Sequence, residues 1–163
     1  MRQARSLGES FRFAFAGLWY ALRTQRNMRL HMLTATVVVA LGTVLRLPRR
    51  DFISVLTAIM VVMVAEMVNT AVEATVDVAT GEYHPLAKVA KDVAAGAVLL
   101  ASAGAFALGV WVFVPRLARV PAAVADWRTH HPWGLGLLGL VVAAVAVLAW
   151  VAPKAAREED RVH

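Results

Sequence analysis

Cysteine is absent from the 163 residues. That removes disulfides, thiolate metal sites and cysteine nucleophiles, and leaves the redox compartment open. Charge is scarce as well. Charged residues make up 17% of the chain, where a soluble domain carries about a quarter. The shortfall is concentrated in long apolar runs, so lipid is the solvent for much of the chain. Acidic residues number 11 against 17 basic ones, a net charge of +6. The basic residues flank apolar segments, so anionic lipid headgroups are their simpler partner and nucleic acid is not expected. Neither a GxxxxGK[ST] loop nor a kinase-type GxGxxG loop is present, which excludes the common soluble nucleotide-binding folds as a source of activity. Residues 1–30 also lack a continuous apolar core followed by a small-residue cleavage site. Their Arg-rich, acid-poor composition fits an organellar transit peptide too, but the apolar residues continue straight into the membrane region.

What is present reads as an all-α integral membrane protein. Over 6–29, Leu7, Phe11, Ala14, Phe15, Leu18 and Leu22 recur at spacings of three and four, with Arg5, Arg12, Arg23 and Arg26 outside that stripe. This predicts an N-terminal amphipathic surface helix with its aromatic face in the acyl region. Spans are expected over about 30–47, 52–78 and 86–114, the first with Arg29 and Arg46 snorkelling at its ends. A polar linker over 115–132 leads to an extra C-terminal span over 133–152, flanked by Trp133 and Trp150 as interfacial anchors. The last residues, KAAREEDRVH, read as a solvated tail. Four spans put both termini on one side. With the surface helix in the cytoplasm, the inner segments hold eleven Lys and Arg and the outer loops six, which favours that orientation.

The informative stretch is EMVNTAVEATVD, 66–77. At helical pitch, Glu66, Asn69, Glu73 and Asp77 fall within a sector of roughly 80°. Three carboxyl groups and an amide therefore share one face. A carboxylate inside a bilayer costs about 2.5–3.5 kcal/mol even on the lenient insertion scale. The stripe is expected to face a protein interior, a water-filled cleft or a bound ion. A merely solvated face suits Asp77 near the membrane edge, but not Glu66, which follows fourteen uncharged residues.

Lys88, Lys91 and Asp92 open the third span at spacings of three and four. Lys88 reads as a snorkelling lysine in an intrahelical ion pair. Lys91 and Asp92 enter the membrane just across a short loop from Glu73 and Asp77, so the two charged ends are expected to meet. Carboxylates beside a lysine at the membrane surface suit a nucleotide and its metal. Mg²⁺ takes one or two carboxylates plus phosphate oxygens, lysine offsets phosphate charge, and a carboxylate in a partly dry site can accept a hydroxyl proton. These are the parts of a phosphoryl-transfer centre.

At these residues the chain resembles the prokaryotic diacylglycerol kinase family, which includes the undecaprenol kinases. EMVNTAVEATVD looks like the family signature and EYHPLAKVAKDVAAGAVLL (82–100) like its continuation. The resemblance runs from about Phe11 to Pro115, so 1–115 is expected to be a membrane lipid-kinase domain and 116–163 an addition to it. It implies a homotrimer of three-span subunits in the bacterial inner membrane, with the active site facing the cytoplasm and Mg²⁺ and ATP as cofactor and co-substrate. By resemblance, Glu66 is the catalytic base that meets the lipid hydroxyl and Asn69 its close polar neighbour. Glu73 is a metal ligand and Asp77 a nucleotide-site carboxylate. Glu82, Tyr83 and His84 form the loop against the nucleotide, and Lys91 and Asp92 are the phosphate-binding pair.

The chain departs from the family in two places. Gln25 stands where the family often has a glutamate as second metal ligand, and a neutral amide is a poorer Mg²⁺ ligand. The fourth span lies outside the three-helix pattern. The HPLAK and NTAVE wording looks closer to the undecaprenol kinase branch, so the expected reaction is ATP-dependent phosphorylation of undecaprenol, with diacylglycerol as the alternative lipid alcohol. Two other classes compete. A transporter or proton-relay bundle also carries intramembrane carboxylates, but it calls for polar residues near the middle of several spans, and here the charges gather at one surface. A non-catalytic relative that binds nucleotide or lipid is kept open by Gln25.

Overall fold

The computed structural model describes residues 6–81 and 83–159, with 152–159 described by backbone alone. Among them there are helices and connecting turns and no strand: α1 (Leu7–Thr24), α2 (Arg26–Val44), α3 (Arg49–Ala79), α4 (Pro85–Phe113), a 3-10 segment (Val114–Arg119), α5 (Val120–His130) and α6 (Gly134–Glu159). Four helical stretches are long and apolar enough to cross a membrane, beginning at Arg26, Arg49, Pro85 and Gly134. The side chains on them point outward to a degree no soluble protein tolerates. Leu99, Leu100, Phe106 and Trp111 of α4 are all more than two-thirds exposed, so lipid covers them. The chain is an all-α multi-pass membrane protein.

The first boundary falls elsewhere than the periodicity predicts. The surface helix does not run to residue 29. It starts on Ser6, whose side chain accepts from the Glu9 N–H, and stops at Thr24, where Gln25 takes an extended conformation. Arg29 explains the break. Its Nη1 donates to the carbonyls of Leu22 (3.2 Å) and Arg23 (2.9 Å), filling acceptors that the end of α1 leaves open. Arg29 therefore caps α1 from inside α2 instead of snorkelling at the edge of a span. Residues 26–29 form the first turn of α2, and that span begins and ends earlier than expected.

At the far end, α2 and α3 are joined by a tight turn through Arg46, which sits in the left-handed region at φ 48°. Leu47 N–H donates to the Gly42 carbonyl at 3.0 Å. Gly42 leaves the room this needs: a Cβ there would meet Leu47 at 3.1 Å and Phe52 at 3.3 Å. Val55, Val112 and Phe113 pack together as a small core beside this end. The expected polar linker is helical as well. Pro115 and Pro121 both stand in first turns, where a missing N–H removes no hydrogen bond. Two ion pairs tie this region to the α2–α3 turn, Arg116 to Asp51 at 2.5 Å and Arg46 to Asp126 at 2.9 Å. α6 then returns along α2 and α1, touching α5 but neither α3 nor α4. It runs on to Glu159, past the expected end at 152, because 154–159 are good helix formers.

Candidate active site

The site lies at the other end of the bundle, where the α1–α2 turn and the α3–α4 loop come together. α3 supplies its floor. Glu66 is 1% exposed, and Asn69 and Thr70 are buried beside it. They sit on one side of α3 because spacings of three, four and seven residues return to the same face. The Thr70 hydroxyl donates back to the Glu66 carbonyl at 2.9 Å, which satisfies it without using a side chain of the site.

Glu73 is the meeting point. Its Oε1 accepts from Asn69 Nδ2 at 2.9 Å, and its Oε2 accepts from Gln25 Nε2 at 3.1 Å. Gln25 thus reaches Glu73 from another helix junction, 48 positions away in sequence. The arrangement leaves two buried acceptors short of a well-formed hydrogen bond, Asn69 Oδ1 and Glu66 Oε1, the second with only His31 Nε2 nearby at 3.2 Å. Buried polar atoms are seldom left so, and at this spot they mark where a further group belongs.

A titratable side chain from α2 approaches Glu66. His31 Nε2 lies 3.2 Å from Glu66 Oε1. The motifs of the sequence do not include His31. Its one signal was that it stands alone near the start of an apolar segment. From His31 an apolar groove of about 630 Å³ runs between α2, α3 and α4, past Val62 and Ser102, to Phe113 and Leu117 at the opposite end.

Nearer the loop, Lys91 of α4 pairs with Asp77 of α3, and Lys88 pairs with Asp92 one turn along at 2.6 Å. The charged ends of the two helices therefore meet, as the short loop requires. Lys91 and Asp92 do not pair with each other; each has a different partner. His84 Nδ1 accepts from Leu86 N–H at 3.2 Å and caps α4, while Tyr83 is 79% exposed. Glu82 lies outside the described residues.

No three His, Asp or Glu side chains among the described residues are grouped to hold a metal by themselves. The centre around Glu73 does fit a cation carried in on phosphate oxygens. Mg²⁺ in such sites uses one or two carboxylates plus substrate phosphates. The two amides on Glu73 can each turn an oxygen toward a cation by a half-rotation.

The prokaryotic diacylglycerol kinase family matches residues 12–113. The chain belongs to that family. A diacylglycerol kinase of Synechocystis sp. is 44% identical over 115 residues, 70% of this chain and 66% of the relative, just under two thirds of its length. The undecaprenol kinase of Bacillus subtilis is 38% identical over 109 residues, 67% of this chain and 89% of the relative. The diacylglycerol kinase of Escherichia coli is 46% identical over a shorter stretch of 46 residues, 28% of this chain. No solved structure matches the chain. The family is one of lipid kinases, and every residue of the candidate site falls within the matched region. α5 and α6 fall outside it.

Proposed function

We propose that the protein phosphorylates a membrane lipid alcohol with ATP, undecaprenol first among the candidates, at a site facing the cytoplasm. The single observation that carries this is the buried Glu66 side chain, whose Oε1 lies 3.2 Å from His31 at the head of an apolar groove between α2, α3 and α4. A lipid alcohol lying in the groove presents its hydroxyl to that oxygen. Glu66 takes the hydroxyl proton, and Asn69, one turn along, holds Glu73 in place through its amide. Glu73, with Gln25 as a weaker second ligand, would hold Mg²⁺ on the nucleotide's phosphates, and the bound cation would neutralise charge on the transferring group. Lys91 would offset phosphate charge once it leaves Asp77, and Asp77, Asp92, Tyr83 and His84 lie at the same end of α3 and α4. Glu82 belongs to that loop in sequence.

The orientation rests on the excess of Lys and Arg at the end that carries this site. Assembly as a homotrimer is part of the proposal, as is the division into a lipid-kinase unit over 1–115 and an addition over 116–163. The groove beside His31 is apolar along its lining, which suits a prenyl chain. Diacylglycerol is the second reading, favoured by the higher identity of the Synechocystis relative. Transfer of radiolabel from ATP to each lipid in mixed micelles tests the order. Faster labelling of undecaprenol is expected; faster labelling of diacylglycerol would reverse it, and no labelling of either would remove the activity.

A further inference from the structure

Phosphorylating an alcohol releases one proton per turnover. Here the group placed to receive it is 1% exposed, so the proton needs a way out of Glu66 before the next cycle. Glu73 cannot provide one. It lies seven residues further along α3, roughly 10 Å along the helix axis, and both its oxygens are held by amides. Lys91 and Asp77 are paired with each other, and Arg29 is engaged with the end of α1. His31 is the group in contact. Its Nε2 stands 3.2 Å from Glu66 Oε1 and its side chain is 28% exposed. Imidazole also takes up and gives up protons near neutrality more readily than any other side chain.

We propose that His31 is the proton partner of Glu66, an inference that rests on Glu66 being the base. As the lipid oxygen bonds to the γ-phosphorus and the bond from that phosphorus to the ADP oxygen breaks, the hydroxyl proton passes to the Glu66 carboxylate. Glu66 hands it to Nε2 of His31, and the imidazolium releases it to water when the lipid phosphate leaves the groove. Lipid phosphate, ADP and one proton are the products, and Glu66 and His31 return to their starting forms. His31 acts through Glu66 and is a positioning residue in that sense, but it sets how fast the base recovers.

The experiment uses the full chain in nanodiscs, with rapid-quench kinetics on His31→Gln and ¹⁵N-histidine spectra of the wild type and Glu66→Gln. His31→Gln keeps the amide's hydrogen bonding and loses the proton uptake. Its first turnover per site is expected near the wild-type rate, with later turnovers slower by about a hundredfold or more, the scale of general acid–base effects, and partly restored by added imidazole. In Glu66→Gln the His31 ring resonances are expected to shift. A His31→Gln enzyme with unchanged steady-state turnover overturns the proposal, as does an equal loss in first and later turnovers that imidazole does not relieve. Ring resonances indifferent to Glu66→Gln overturn it without any activity being measured. If Glu66→Gln itself phosphorylates lipid normally, the base is elsewhere and the parent reading fails with it. If Glu66→Gln is inactive but His31→Gln is normal, only the partner is wrong.

Discussion

At the residue scale the site is a competition for the Glu73 carboxylate. Two amide donors hold it now. Gln25→Glu would replace one of them by a second carboxylate at hydrogen-bond distance. Two carboxylates so close repel without a cation and clasp one that arrives. The variant is expected to have a lower melting temperature than the wild type in EDTA, and a higher one in Mg²⁺, with a tighter Mg²⁺ midpoint for turnover. Equal melting in EDTA and Mg²⁺, with the same midpoint, would show that Gln25 is not at the metal. Glu66→Gln tests the other half of the site: turnover is expected to fall by on the order of a hundredfold or more while nucleotide binding is kept. The shared face of Glu66, Asn69 and Glu73 was legible because helical spacing alone fixes it. The contact of Lys91 with Asp77 was legible because a short loop leaves their helix ends nowhere else to go. The pairing of His31 with Glu66 was not, since it depends on how α2 and α3 are registered, and a lone histidine in an apolar run reads equally well as packing.

At the scale of elements, the spans followed from apolar length, but their ends did not. Gln25 breaks the chain between α1 and α2 with neither glycine nor proline to announce it, and the capping arginine lies inside the next helix. The segment after α4 looked like a linker because it is polar and holds prolines, yet those prolines sit where helices accept them. Two ion pairs then fasten it to the α2–α3 turn, and they should differ in strength. Arg116 and Asp51 are largely shielded, while Arg46 and Asp126 are 61% and 40% exposed. Asp51→Asn is expected to destabilise by about 1.5–3 kcal/mol, the range for hydrogen bonds to charged groups. Asp126→Asn is expected to cost under about 0.5 kcal/mol, as exposed pairs do. Denaturant titration in micelles measures both, and the reverse order would show that the turn is held from α5.

At the scale of the molecule, chemistry and addition lie on opposite sides of α2. The groove is lined by α2, α3, α4 and the 3-10 segment, and Glu66 lies on α3 beside His31. α6 covers the other flank of α2 and reaches α1, leaving a small apolar crevice lined by Trp19, Met32 and Leu148. Among the described residues, α6 makes no contact with α3 or α4, the helices that carry the site carboxylates. Ending the chain after Arg119 keeps the shielded Arg116–Asp51 pair and removes α5 and α6. The shortened protein is expected to keep lipid phosphorylation within about tenfold of the full chain, a change of no more than about 1.4 kcal/mol in the barrier. It is also expected to unfold at a lower temperature, because α1 and the outer face of α2 lose the neighbour that α6 gives them. Side-by-side turnover and melting curves in the same nanodiscs check this. A shortened protein that is fully helical yet slowed more than a hundredfold would place α6 inside the catalytic unit and draw the boundary beyond 115, since packing on α1 would then be setting Gln25, and through it Glu73.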